Sequence, residues 1–339
     1  MSDIAHTETD KAIKQLEKEI KKVYAQAEKE CTEKLLAHMN RYKRIDKQMR
    51  DKVAAGKMTQ DDYVQWRMGQ LAIGERWEEM CKSLATDLAN ADKIAESISK
   101  GYCKDAYALN HNFATFEVEK ASLVDTSYTL YDRHTVERLI SQKKSILPEA
   151  RGKTAQALRE GKLIRWNMQR ITSAVTQGIL QGESVYKIAS RLQSVVGMDT
   201  RASIRNARTA VTGAQNAGRQ DGFERAEEMG IKGKKLWIAT MDHRTRHWHV
   251  ELDGEKVDVG DKFHNEYGDI EYPGDVTADP ANVYNCRCTM GYVLEGFEDR
   301  KQKWFEDRQN PALGNISWEK WKEEHAEAQA RKGYVRDEG

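Results

Sequence analysis

The chain has 339 residues, which is enough for two domains or one elongated domain. Charged residues make up 32% of the sequence, the mean hydropathy is −0.80 and only four prolines occur, a composition typical of long, solvent-exposed helices. No apolar run approaches the ~18 residues of a membrane span, the five scattered cysteines form no disulfide framework, and a net charge of +1 leaves nucleic-acid binding open.

The N-terminal residues lack the charged-then-apolar layout of a secretory signal peptide. An odd number of dispersed cysteines is typical of proteins made in a reducing compartment. We therefore expect synthesis in a cytosol and no membrane partner.

An amphipathic pattern dominates the N-terminal part of the chain. Over Lys11–Val53 the apolar positions recur in steps of three and four, which predicts one long helix with a narrow apolar stripe. This helix is either half of a helical hairpin or an exposed arm that packs on a larger assembly. A second helix is predicted from a cap formed by Thr59 and Asp62 to about Gly101, followed by a loop or short strands over Tyr102–Leu130.

The middle of the chain is basic. Residues 143–225 include 15 basic and 6 acidic side chains, and three helices are predicted at Lys162–Gly178, Ser184–Gly197 and Thr200–Met229, the last ending at Gly230 in a left-handed cap. The basic side chains either pair with acids or contact DNA phosphates, since phosphate binding needs only clustered positive charge. The candidate DNA contacts are Lys162, Arg165, Arg170, Arg201 and Arg205.

The stretch from Leu236 to Leu294 carries the most distinctive chemistry. It opens with a predicted strand at Leu236–Thr240. In a strand, residues two apart share a face, so an H-x-H pair and a C-x-C pair on strands would offer the two nitrogens and two sulfurs that zinc prefers. The alternatives for the cysteines are buried free thiols, or a local disulfide or redox pair. The candidate metal ligands are His247, His249, Cys286 and Cys288.

A catalytic site in this stretch is a second hypothesis. Asp242 follows directly after the predicted strand, where active-site residues often lie, and with His249 it could form a carboxylate and base pair for hydrolysis. The same residues could equally form an ion-pair and hydrogen-bond network that holds the long loop Leu252–Asn285. The sequence contains no G-x-S-x-G, P-loop, H-E-x-x-H or G-x-G-x-x-G motif, and it lacks the second ligand pair of an HNH-type nuclease. We therefore predict no enzymatic activity.

The segment after Gly296 is charged and contains three tryptophans. Ser317 resembles a helix N-cap, and the pattern predicts a helix to about Lys332. Aromatic side chains in a polar segment indicate docking, either on this chain or on a partner. The three tryptophans are Trp304, Trp318 and Trp321.

Several short motifs follow one another between Lys162 and Gly296. An Arg-Thr pair on a predicted helix is followed by Trp237, an Asp-His-Arg-Thr-Arg-x-x-His run, Leu-Asp-Gly, Pro-Gly-Asp and Asn-Cys-Arg-Cys. This ordered set resembles the Mu F-like phage head-morphogenesis family, the minor head proteins of tailed bacteriophages. The residues that carry this signature are Arg208, Thr209, Asp242, Arg244, Thr245, His249, Gly254, Asn285, Cys286 and Cys288.

The resemblance implies a virion protein rather than an enzyme. Such proteins act in procapsid assembly, associate with the portal, enter the phage head in few copies and contact or retain packaged DNA. Portal protein is the expected partner, with scaffold protein, major capsid protein and double-stranded DNA as further candidates. The expected location is the phage head, after synthesis in the bacterial cytoplasm. The resemblance carries no catalytic residues and no cofactor, and a structural zinc is a candidate only.

The predicted fold class is α+β, with a long, mainly α-helical N-terminal part followed by a small α+β C-terminal domain and a helical tail. Four consecutive segments are expected: a portal- or scaffold-docking arm at 1–142, a basic helical region at 143–230, an α+β Mu F-like core at 231–296 and a charged helical tail at 297–339. The alternative function is a metal-dependent hydrolase or nuclease centred on the four candidate metal ligands.

Overall fold

The computed structural model describes residues 3–71, 75–142, 153–295 and 316–334. In these residues the fold is mainly helical with two small antiparallel sheets, which confirms the predicted α+β class. None of the helices in these ranges combines the length and the apolar character needed to cross a membrane. The helices are α1 (Ile4–Asn40), α2 (Lys43–Ala54), α3 (Gln60–Leu71), α4 (Glu75–Ser122), α5 (Arg133–Gln142), α6 (Lys153–Arg159), α7 (Leu163–Leu180), α8 (Val185–Glu228), α9 (His247–Glu251), α10 (Pro280–Val283) and α11 (Trp318–Tyr334). The strands are β1 (Gly233–Ile238), β2 (Lys256–Asp258), β3 (Phe263–Asn265), β4 (Gly268–Ile270) and β5 (Thr289–Leu294).

The central strand of the larger sheet is β1. It pairs with β2 and β5, both antiparallel, so that Leu236 lies opposite Lys256 on one side and Gly291 on the other. Side chains along β1 alternate between buried and half-buried, as expected for a strand with one covered face. Trp237 lies on the covered face and is fully buried. The smaller sheet is the hairpin β3–β4.

The N-terminal pattern produces two helices, so the prediction of a single helix to Val53 was wrong. Helix α1 ends at Asn40 and α2 begins at Lys43. The two helices differ in packing, because α1 buries side chains such as Leu16 and Ile20 whereas α2 buries none. Since most helical stability in proteins comes from packing of the apolar face, nothing on α2 forces it to continue the direction of α1.

The cap predicted for the next helix is confirmed. The backbone N–H of Asp62 donates to Oγ1 of Thr59 at 3.0 Å, and the backbone N–H of Thr59 donates to the Asp62 carboxylate at 3.4 Å. Helix α4, by contrast, continues past Gly101 to Ser122. The loop or strands predicted from Tyr102 onward are therefore wrong up to the end of α4.

The polar run that suggested a loop lies inside α4 and is buried. Asn110 donates through Nδ2 to Oγ1 of Thr9 at 2.9 Å, and Oδ1 of Asn112 accepts from the Tyr128 hydroxyl at 2.7 Å. Between them, His111 stacks on a tyrosine ring with 4.0 Å between ring centroids. Burial is tolerated because these polar groups have partners from elsewhere in the chain, which the local sequence pattern could not show.

Helix α8 runs unbroken through Gly197, although two helices were predicted there. One glycine costs a helix only about 1 kcal/mol relative to alanine, and buried apolar residues such as Val195 and Ile204 lie on either side of it. The helix ends at Glu228, and Gly230 takes the predicted left-handed conformation with φ of +84°. The predicted helix over Lys162–Gly178 is confirmed as α7.

Contacts divide the chain into two compact units made of interleaved segments. Unit 1 consists of 1–15, 99–150 and 207–339, and unit 2 of 16–98 and 151–206. Helices α1, α4 and α8 each contribute residues to both units. The division into four consecutive segments remains a prediction.

A buried polar network lies in the core of unit 2. The Tyr24 hydroxyl donates to the Asp92 carboxylate at 2.5 Å, and Nδ2 of Asn167 donates to its second oxygen at 3.1 Å. Burial raises the pKa of Asp92 to about 6. The network joins α1, α4 and α7 within this unit.

The C-terminal helix docks on its own chain in unit 1. Trp318 and Trp321 are buried against Phe116 of α4, with ring centroids 5.5 and 5.8 Å from it. Nε1 of Trp321 donates to the buried Glu119 carboxylate at 2.6 Å. The predicted cap is confirmed, because Ser317 accepts from a backbone N–H in the first turn of α11. The third tryptophan of the tail, Trp304, lies outside the described residues.

Candidate functional site

The candidate site is built on the unit 1 part of α8. Thr209 accepts through Oγ1 from the backbone N–H of Asn285 at 3.2 Å. Two turns further along the helix, Nδ2 of Asn216 donates to the carbonyl oxygens of Pro273 and Cys288 at 2.9 and 3.1 Å. Side chains of α8 therefore satisfy the main chain of two separate loops and hold both in place.

A bidentate ion pair holds the loop after β1. The Arg287 guanidinium donates to both carboxylate oxygens of Asp242 at 2.5 and 2.6 Å, and both side chains are about 30% exposed. These hydrogen bonds keep the pKa of Asp242 well below its ordinary value. Thr245 donates through its hydroxyl to the Thr240 carbonyl, which closes the loop on itself.

Two residues of the predicted signature adopt left-handed backbone conformations. Gly254 has φ of +84°, and its N–H donates to the Trp237 carbonyl at 3.0 Å. Asn285 has φ of +56°, a conformation that asparagine tolerates better than most residues with a side chain. The turn at Asn285 directs the two following cysteines inward, where both are buried.

His249, Cys286 and Cys288 meet in the interior beside β1. Nδ1 of His249 lies 3.7 Å from Sγ of Cys286 and 3.5 Å from Sγ of Cys288. All three side chains are buried, and the His249 ring packs edge-on against Trp237 with 5.4 Å between ring centroids. The arrangement offers one imidazole nitrogen and two sulfurs to a shared centre.

The two thiols differ in acidity because each affects the other. A hydrogen bond between the two side chains lowers the pKa of the Cys288 thiol and raises the pKa of the Cys286 thiol, which burial raises further. A hydrogen bond with His249 also lowers the pKa of Cys288.

His247 lies outside this group. The H-x-H pair is on α9 rather than on a strand. In a helix, a spacing of two residues separates the two rings by about 200° around the axis, so they do not share one face. The His247 side chain is 70% exposed, with Nε2 3.3 Å from a Glu266 carboxylate oxygen. The cysteines lie just before β5 and not within it, so the strand assumption behind the four-ligand set was wrong for both pairs.

The hypothetical catalytic pair is not assembled. Asp242 is engaged by Arg287, and His249 faces the two thiols. Arg244 donates its backbone N–H to Asp242 at 2.9 Å, but its side chain is 65% exposed. These contacts correspond to the structural network that the sequence offered as the alternative to hydrolysis.

The candidate DNA-contact residues all belong to unit 2. Arg170 forms an ion pair with the buried Asp199, so its guanidinium already has an acidic partner within the fold. Lys162 lies 3.1 Å from a Glu160 carboxylate oxygen and is mostly exposed. Arg201 and Arg205 are exposed on α8.

Sequence reasoning missed the buried polar side chains of α8 that complete the site. Asn216, Arg219 and Gln220 are buried, and Nε2 of Gln220 donates to the Val259 carbonyl at 2.8 Å. The available signal was their spacing, because with Thr209 they recur at intervals that place them on one side of the helix. Their alanine and glycine neighbours made the same stretch look like an ordinary helix.

Comparisons with known proteins agree with this placement. Residues 169–291 match the family described as Phage Mu protein F like protein. The chain is 31% identical over 130 residues to the minor head protein GP7 of Bacillus phage SPP1, across 38% of this chain and 42% of that protein. It is 32% identical over 154 residues to the NAD(+)–arginine ADP-ribosyltransferase EFV of Enterococcus faecalis, across 45% of this chain and 31% of that protein.

An uncharacterized protein of Haemophilus influenzae is 26% identical over 204 residues, across 60% of this chain and 40% of that protein. The chain thus spans less than half the length of each of these relatives. No solved structure matches. The matched region contains every residue of the predicted signature, and over residues 169–291 the chain is similar to the Mu F-like family.

Proposed function

We propose that this chain acts in procapsid assembly as a minor head protein that binds the portal and is retained in the phage head. The match of residues 169–291 to the Mu F-like family carries the proposal, with the SPP1 minor head protein as a named relative. Scaffold and major capsid protein are further candidate partners, and synthesis would take place in the host cytoplasm. Side chains of α8 and the Asp242–Arg287 ion pair hold the loops of unit 1 in place, as expected for a rigid component of an assembly.

No catalytic role is part of the proposal. The 154 aligned residues make up 31% of the ADP-ribosyltransferase relative, so the activity in its name is not attributed to this chain. The carboxylate of Asp242 and the ring of His249 have structural partners of their own.

Helix α2 is the segment that we assign to portal docking. It buries none of its residues, although Ile45 and Met49 recur one turn apart and form an apolar stripe. Ile45 is 38% exposed. A partner helix laid along this stripe would bury apolar surface of α2 that is at least partly exposed in the described part of the chain.

The test is affinity purification of the tagged full-length chain from cells that produce phage heads, followed by mass spectrometry. Portal protein should co-purify with the wild type. The variant Ile45→Glu/Met49→Glu should lower its recovery about tenfold or more, because each charge would have to be buried on binding. Lys47→Gln, an exposed residue on the opposite side of α2, is the matched control and should bind normally.

Two outcomes would contradict these assignments separately. Absence of portal and other head proteins from the wild-type purification would refute the role in head assembly. Normal recovery with the α2 variant would refute docking through α2 and leave the family role standing.

We further propose that unit 2 contacts DNA phosphates. Arg201 and Arg205 lie one turn apart on α8 and are exposed, as are Lys162 and Arg165 at the start of α7. Because α7 and the part of α8 up to residue 206 belong to the same unit, these side chains can bind the phosphates of one DNA duplex together, whatever its sequence.

DNA affinity should therefore fall as salt rises. For the wild type, log K plotted against log salt should be linear, and Arg201→Gln/Arg205→Gln should flatten the slope by about 1.8 if each arginine contacts one phosphate. Arg133→Gln, which removes an exposed arginine of unit 1, is the control and should leave the slope unchanged. Fluorescence anisotropy with duplex DNA measures this, and binding that does not respond to salt would contradict the proposal.

A further inference from the structure

We propose that His249, Cys286 and Cys288 bind a zinc ion that ties α9 to the segment before β5. The proposal rests on three ligand atoms and does not depend on the role in head assembly. Nδ1 of His249 is 3.7 and 3.5 Å from the two sulfurs, and the three atoms all lie within 4.8 Å of one another.

These separations match the edges of a zinc coordination tetrahedron. With Zn–S bonds of about 2.3 Å and Zn–N bonds of about 2.0 Å, a nitrogen and a sulfur on one zinc ion are about 3.5 Å apart. Hydrogen bonding alone accounts less well for the geometry, because the single lone pair of Nδ1 accepts from one thiol. Both sulfurs nevertheless lie at nearly the same distance from it.

The charge of such a centre suits its surroundings. The three side chains are only 1–2% exposed, and an uncompensated ion buried to that extent costs several kcal/mol. Two thiolates, one neutral imidazole and Zn²⁺ sum to zero charge. A zinc ion therefore lets both sulfurs ionise without leaving a net charge in the interior.

The main chain that carries the two cysteines is fixed by side-chain hydrogen bonds. Nδ2 of Asn216 donates to the Cys288 carbonyl at 3.1 Å, and the Thr240 hydroxyl donates to the Arg287 carbonyl at 2.6 Å. Contacts of this kind orient the ligands of a metal site.

The described residues supply three ligands to this centre. Zinc is usually four-coordinate, so one further ligand is needed beside these three side chains. The ion would join residues that are 37 and 39 positions apart in sequence, across the loop between α9 and β5. It would therefore cross-link the two ends of that loop.

The first test uses the wild-type chain, purified under reducing conditions with a tag that does not bind metal. Elemental analysis should find one zinc per chain. X-ray absorption at the zinc edge should show two sulfur neighbours at about 2.3 Å and nitrogen or oxygen neighbours at about 2.0 Å. A folded wild type that takes up no stoichiometric zinc when supplied with it, or a spectrum with only nitrogen and oxygen neighbours, would overturn the proposal.

The second test uses cobalt(II) in place of zinc, because thiolate ligation gives an intense charge-transfer absorption. Cys286→Ser, Cys288→Ser and His249→Ala should each lose the thiolate-ligated tetrahedral spectrum of the wild type. His247→Ala, which changes the exposed histidine of the same helix, and Cys103→Ser, which changes a buried thiol elsewhere in unit 1, should keep it. Loss of the spectrum in His247→Ala, or retention in Cys288→Ser, would contradict the ligand set.

Discussion

Replacement of Gly218 by alanine is expected to destabilise the protein by about 2 kcal/mol or more. Gly218 lies on α8, where a Cβ would stand 2.5 Å from the carbonyl oxygen of Tyr107 and 3.2 Å from the backbone nitrogen of His111. Both atoms belong to the main chain of α4 and cannot rotate away. Overpacking costs about 3 kcal/mol at the upper end of its usual range, against which the better helix propensity of alanine contributes about 1 kcal/mol.

Gly197 on the same helix provides the matched control. The nearest atom to a Cβ there is the end of the flexible Arg201 side chain, at 3.7 Å. Gly197→Ala should therefore stabilise the chain by about 0.5–1 kcal/mol through helix propensity alone. Urea unfolding of the full-length variants, followed by tryptophan fluorescence, measures both changes. A Gly218→Ala variant as stable as Gly197→Ala would mean that α4 and α8 do not approach this closely.

A neighbouring contact distinguishes side-chain from main-chain collision. A Cβ at Gly222 would lie 2.8 Å from the Cβ of Ala114 on α4. The double variant Gly222→Ala/Ala114→Gly exchanges the two side chains and should recover stability relative to Gly222→Ala. Gly218→Ala has no corresponding rescue, because its collision is with backbone atoms.

The same contact shows why part of the fold could be predicted and part could not. Periodicity and capping residues identified α7, α11 and the start of α3, because those signals depend on a few neighbouring positions. The extension of α4 beyond Gly101 depends on its close packing against Gly218 and Gly222, more than a hundred residues away. A local pattern contains no information on that partner.

For the candidate site, too, some features could be predicted from the sequence and others could not. The order of motifs was sufficient to indicate the resemblance to the Mu F-like family, whose model matches residues 169–291, and the sequence offered Asp242 as part of an ion-pair network. The face on which each histidine lies could not be predicted, because it depends on whether His247 and His249 belong to a strand or a helix. Because the five residues His247–Glu251 form a helix, the two histidines do not share a face: His249 is buried beside the thiols and His247 is exposed.

The largest single loss of stability is expected for Arg219→Met. Arg219 is fully buried in unit 1 and joins three elements. Its guanidinium donates to the Asn110 side chain at 2.9 Å, to the Met290 carbonyl at 2.5 Å and to the Asp3 carboxylate at 2.7 Å. Methionine fills a similar volume but offers no donor, so three acceptors lose their partner. Breaking a buried ion pair from one side costs about 3–5 kcal/mol.

An exposed arginine tests whether burial, rather than ion pairing, sets this cost. Arg133 also forms a bidentate pair, with Asp105, but both side chains are 50% exposed. Arg133→Met should therefore cost less than about 1 kcal/mol. Arg219→Lys should fall between the two, since lysine keeps the charge but cannot reach three acceptors in the plane of a guanidinium. Equal urea midpoints for Arg219→Met and Arg133→Met would contradict the buried network. The predicted gap would mean that the buried hydrogen bonds of Arg219 to α4, β5 and the N-terminal segment stabilise the protein more than an exposed ion pair does.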